Sequence, residues 1–165
     1  MMLTVHALGG TASACVLNQH IKEPYHQIKD HIKHNYRLFF CAFGINILLH
    51  GVMDSMPHSH TIGSLLDAVT SMLILLVLLP LWPKKGRIML LVCFLGALFP
   101  DVFDFVFMLI AVGRGIRLFP WHWESIGREL DKACKNNVLN NWYDALAIGI
   151  CVMIIIGWLW KYEKR

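Results

Sequence analysis

The chain has 165 residues, is 56% hydrophobic and only 16% charged, and carries a formal net charge of +4. That composition excludes an ordinary water-soluble domain and leaves no length for a separate soluble catalytic domain, so residues 1–165 read as a single integral membrane domain. The basic residues gather at the ends of apolar runs, with no basic stripe interleaved with aromatics; the charge therefore fits membrane topology and lipid headgroups and excludes nucleic-acid binding.

Residues 3–18, LTVHALGGTASACVLN, are moderately apolar and rich in small residues. No Lys or Arg precedes them, so they do not read as a secretory signal. Their Gly and Ala content predicts a helix packed closely against its neighbours. Residues 20–37 are polar, with four Lys or Arg alternating with His20, His26, His31 and His34, and read as a solvated juxtamembrane helix. Residues 38–56, LFFCAFGINILLHGVMDSM, form a span of the length a bilayer requires. It ends in the cluster LLHGVMDSMPHSH. His50 and Asp54 are four apart, so on a helix they share a face, and Pro57 marks the helix end. An HxxxD pair followed by two imidazoles supplies the N and O donors that zinc accepts; the alternative is two satisfied buried polar residues followed by solvated loop histidines.

The run IGSLLDAVTSMLILLVLLPLW makes the next span, with Asp67 near its start at about the depth of Asp54. Lys84, Lys85 and Arg87 follow it. Residues 88–112 return through the membrane, interrupted by Pro100 just before Asp101 and Asp104. Carboxylates beside a proline inside a span need protection from lipid and predict a buried or cavity-lining position. Residues 113–141 form the longest polar connection, an interfacial amphipathic stretch whose WHWE either folds His122 over the site as a late ligand or acid or leaves it at the headgroup level. The last span opens at Tyr143 and Asp144 and ends in Lys161, Lys164 and Arg165. The five cysteines show no CxxC spacing and indicate neither a zinc ribbon nor a disulfide framework.

The fold expected is all-α, a polytopic membrane helical bundle of four to five transmembrane helices. Threading five spans places the basic residues of 22–37, 84–87 and 161–165 on one side, which their excess makes cytoplasmic. His6, the 50–60 cluster, Asp67, Asp101, Asp104, His122 and Asp144 then gather toward the opposite face. Such a site fits metal-assisted hydrolysis, in which a cation activates water near neutral pH and a neighbouring carboxylate takes or orients its proton. The ligands expected are His6, His50, Asp54 and Asp101, holding a divalent metal, with zinc expected from the His and Asp donors. Asp104 or Asp67 would orient a ligand or act as base, and His58 or His122 would protonate the leaving group. The location implies a phospholipid or lipid-linked phosphoester substrate.

Three stretches, HALGG at 6–10, HGVMDSMPH at 50–58 and LGALFPDVFD at 95–104, resemble the small multi-pass membrane-bound metal-dependent hydrolases related to bacterial inner-membrane proteins. The resemblance is to a divergent member, because here the Pro-Asp motif follows HxxxD rather than preceding it. It implies the same metal candidates, His6, His50, Asp54 and Asp101, and a multi-pass location in a bacterial inner membrane. Membrane lipids are the partners expected, and a homo-oligomer is compatible with so small a bundle. A cation or proton transporter using the same His and Asp residues, or a non-catalytic membrane scaffold contacting partners through 113–141, are the alternatives.

Overall fold

Small residues decide how closely two helices approach, and in this chain they set the centre of the bundle. The computed structural model describes residues 3–21, 28–55, 64–107, 118–122 and 140–163, and these form an all-α fold. Five α-helices are described: α1 Leu3–Leu17, α2 Ile28–Asp54, α3 Ser64–Leu81, α4 Arg87–Asp101 and α5 Asn140–Glu163. Short 3-10 turns occupy Asn18–His20, Lys84–Gly86 and Pro120–His122.

α1 is the buried helix, touching the other four. Gly10 is why it can approach α4: a Cβ there would lie 2.9 Å from Ala97 Cβ and 2.9 Å from the Cys93 carbonyl oxygen. Gly96 does the same for α4 against α2, where a Cβ would lie 2.7 Å from the Phe43 carbonyl oxygen. Backbone-to-backbone approach of this kind is how helices associate where lipid removes the hydrophobic drive between them.

The helices alternate in direction. α1 begins beside α3, where Leu3 and Thr4 meet Asp67, and ends where Asn18 meets Gly86. α2 returns to place Asp54 against His6 of α1. α3 descends to Trp82, whose indole stacks on Trp158 of α5 at 4.4 Å. α4 climbs back from Gly86 to Asp101. One end of the bundle thus holds Lys84, Lys85, Arg87 and Lys161 together with the start of α2, including Asp30, His31 and His34, and the other holds His6, His50, Asp54, Asp67, Asp101, Asp104 and His122. Between them lies an apolar core that includes Ala14, Phe39, Ala42, Met89, Leu90 and Cys93.

Two helical segments are long and apolar enough to cross a membrane, Lys29–Asp54 and Lys84–Asp104; Leu66–Leu81 and Ala145–Lys161 are shorter apolar helical stretches. α2 is longer than the span expected over 38–56, because the polar residues from Ile28 onward continue the same helix. Pro100 has no N–H for the Gly96 carbonyl, and immediately beyond it the helix changes to a π-helical turn, Val102–Phe107. Such turns collect at functional sites, and this one carries Asp104. Arg87 closes the opposite end by donating to the carbonyls of Pro80 at 3.0 Å and Trp82 at 3.2 Å, a cation at a helix C-terminus.

Candidate metal centre

The last turn of α2 presents His50 and Asp54 from one face, as an i, i+4 pair must. α4 brings Asp101 to the same point, and the Pro120–His122 turn closes over it. One ligand atom from each of His50, Asp54, Asp101 and His122 lies within 4.8 Å of all the others, a grouping able to hold a metal ion.

The separations are informative. His50 Nε2 is 3.0 Å from Asp54 Oδ2 and 3.7 Å from Asp101 Oδ1. His122 Nε2 is 3.2 Å from Asp54 Oδ2 and 3.3 Å from Asp101 Oδ1. The two Nε2 atoms are 3.4 Å apart. Donors placed at zinc-ligand distances in a tetrahedron stand roughly 3.3 Å from one another, so the spacing matches a coordination shell. Two carboxylates and two neutral imidazoles also balance the charge of a divalent cation, and N and O donors of these kinds suit zinc.

Both imidazoles are oriented from behind. His50 Nδ1 donates to the Ala97 carbonyl at 2.6 Å, which leaves its Nε2 lone pair facing the cluster. His122 Nδ1 donates to Asp104 Oδ2 at 2.7 Å. Hydrogen bonds from the outer ring nitrogen to a carbonyl or carboxylate are the usual support of metal-ligating histidines. Asp104 also accepts from the backbone N–H groups of Leu118 at 2.8 Å and Phe119 at 3.2 Å, so one buried carboxylate holds the whole Leu118–His122 segment in place. Gly51 leaves room for that segment, since a Cβ there would lie 2.7 Å from the Trp121 ring.

Without a cation, His122 is charged. Burial lowers its pKa, but hydrogen bonds to Asp101, Asp54 and Asp104 outweigh burial and raise it to about 10. The site is enclosed except on one side: the side chains of His50, Asp54 and His122 are 0%, 9% and 8% exposed, whereas Asp101 is 23% exposed. Asp101 is therefore the most accessible of the four.

The structure brings His50, Asp54, Asp101 and His122 together. His6 lies against the cluster but outside the four-donor group; its Nε2 meets the other oxygen of Asp54, Oδ1, at 3.0 Å, and its ring stacks on His50 at 3.8 Å. His122 was expected as a late ligand or acid, and its Nε2 stands among the donors. Asp104 sits behind His122. Asp67 is bound to the start of α1, accepting from the Leu3 and Thr4 N–H groups and from the Thr4 hydroxyl. Unpaired N–H groups open every helix, and a carboxylate from a neighbouring helix satisfies these. His58 lies outside the described residues. The Ala97 carbonyl escaped sequence reasoning altogether, because nothing in a residue's type marks which backbone oxygen a distant histidine will meet.

Compared with known proteins, the chain matches no family model, no curated protein and no solved structure.

Proposed function

We propose that this protein is a membrane-embedded, metal-dependent hydrolase that uses zinc at the bilayer interface, with a phospholipid or lipid-linked phosphoester as substrate. The observation that carries the proposal is the His50, Asp54, Asp101 and His122 donor group, with both histidines pinned through Nδ1 and both Nε2 atoms turned inward. A divalent cation held there would activate water and polarise the oxygen of an ester under attack.

The chain's own residues divide the remaining work. His50, Asp54 and His122 would hold the cation from the enclosed side. Asp101, the most accessible of the four groups, would then leave the fourth position to water, orient it and accept its proton. Asp104 keeps His122 facing inward and excludes solvent by fastening residues 118–122 over the site.

The membrane part of the proposal rests on α2 and α4 and on the outer faces of their neighbours. Leu66, Val69, Leu73, Leu76 and Val77 of α3, and Leu146, Met153 and Ile156 of α5, are exposed. Exposed apolar faces this extensive belong in lipid. We read all five helices as a multi-pass bundle of a bacterial inner membrane, with the basic end cytoplasmic. Both membrane-capable segments end at the site, which supports a position at the opposite interface, within reach of lipid headgroups. A transport role is less well supported, since the apolar core separates the donor group from the basic end.

The test is metal analysis and hydrolysis by the detergent-purified, metal-replete protein. The wild type should carry one metal ion per chain and cleave a phosphoester lipid analogue, chelation should abolish cleavage, and zinc should restore it. His50→Ala and Asp54→Ala should lose both metal and activity. Wild-type protein without stoichiometric metal would sink the proposal; metal without turnover of phosphoester, carboxylester or amide analogues would remove its hydrolase part.

A further inference from the structure

The two oxygens of Asp54 meet different partners. Oδ2 faces His50 and His122 at 3.0 and 3.2 Å, while Oδ1 faces His6 Nε2 at 3.0 Å. A carboxylate oxygen can only accept, so the His6 Nε2 carries the proton in that contact. The imidazole is held flat against His50, with 14° between the ring planes. It is 1% exposed, and its Nδ1 is buried without a hydrogen-bond partner. An orphaned ring nitrogen costs stability, and a leucine would fill the same space without that cost. The contact that distinguishes histidine here is the one to Oδ1.

We infer that His6 is a positioning residue that holds Asp54 in one-oxygen coordination: its Nε2–H occupies Oδ1, so that Oδ2 alone faces the cation. This rests on the metal reading above. Asp54 is the last residue of α2, and its carboxylate is oriented by its side-chain contacts to His6, His50 and His122. Without the His6 contact the carboxylate can rotate and present both oxygens, and the second one would fill the position that a hydrolytic site must leave for water. His6 also fixes α1 to the end of α2 and couples helix packing to the coordination number at the site.

The experiment uses the full chain in detergent, with Co(II) alone as probe. Co(II) reports coordination by its visible absorption, which is intense when four-coordinate and weakens when a further donor binds. Wild type, His6→Leu and His6→Gln are compared for affinity and band intensity; Gln keeps an N–H donor near the Nε2 position, and Leu does not. His6→Leu should bind Co(II) 10- to 100-fold more weakly, the range expected on losing a residue that orients a metal ligand. Its absorption should weaken per bound ion, and His6→Gln should recover most of the affinity and the band. If His6→Leu does not fold, His6→Asn, whose shorter amide cannot reach Oδ1, replaces it in the comparison with Gln. Equal affinity and an equal band in Leu (or Asn) and wild type would overturn the positioning role and leave the metal site standing. Gln as impaired as Leu, with both folded, would also overturn it and make the ring itself the requirement. Wild type that binds no Co(II) would overturn the metal reading and this inference with it.

Discussion

His122 and Asp104 are joined by a 2.7 Å hydrogen bond from Nδ1 to Oδ2, while the other nitrogen of the same ring stands 3.3 Å from Asp101 Oδ1. Asp104 thereby determines both where the imidazole lies and which nitrogen faces the donor group. Asp104→Asn replaces an acceptor with an amide that cannot satisfy two backbone N–H groups and an imidazole together. Zinc affinity, measured by competition with a chromophoric chelator, should fall 10- to 100-fold, with the helical content unchanged by circular dichroism. Unchanged affinity would show that residues 118–122 are held without Asp104.

The metal-free protein should show a stability change in alkali that depends on His122. Its folded pKa, about 10, lies above the ordinary 6.5, so its contribution is fully present below about pH 6.5 and is lost as pH rises through about 10. Thermal unfolding of the chelator-treated protein should therefore occur at lower temperature at pH 10.5 than at pH 7, and His122→Ala should flatten that difference. A wild-type profile parallel to that of the variant would contradict the ion-pair origin of the shift. Because His122 is protonated when metal-free, loading with zinc at pH 8 should also release a proton to the medium.

Gly10 and Gly44 separate close packing from helix propensity. A side chain at Gly10 meets Ala97 and the Cys93 backbone at 2.9 Å, whereas one at Gly44 meets nothing within 4 Å. Gly10→Val should destabilise the folded protein by about 1–3 kcal/mol or more through overpacking of α1 on α4. Gly44→Ala should stabilise it by about 0.5–1 kcal/mol, the helix cost of glycine. Thermal or denaturant unfolding in a fixed detergent reads both, and a neutral Gly10→Val would show that α1 does not sit against α4 as described.

Asp67 offers a test that separates capping from chemistry. Its carboxylate pairs with the first N–H groups of α1, and Asp67→Ala should cost about 0.5–2 kcal/mol, as loss of an N-terminal cap does. The variant should still bind one zinc per chain. Loss of the metal with stability intact would return Asp67 to the site.

Much of the chemistry was legible from position along the chain. The i, i+4 spacing of His50 and Asp54 puts them on one face of any helix, and the end of an apolar segment is an expensive place for either. The Pro100–Asp101–Asp104 grouping was visible for the same reason, as was the gathering of Asp54, Asp67, Asp101 and Asp104 away from the basic ends. Gly10 and its small neighbours announced close packing. Helix periodicity specifies which residues share a face; it does not specify how each helix is rotated against the next. The sequence by itself therefore determined an all-α, strongly apolar chain with a polar end and named most of the residues gathered there. Only the tertiary structure decided that His122, 68 positions from Asp54, stands among the donors while His6 takes the far oxygen of Asp54. It also decided that Asp67 caps α1 and that a backbone carbonyl at Ala97 orients His50. Those outcomes depend on helix rotation and on a loop fastened by Asp104, and both are set by contacts between residues far apart in the chain.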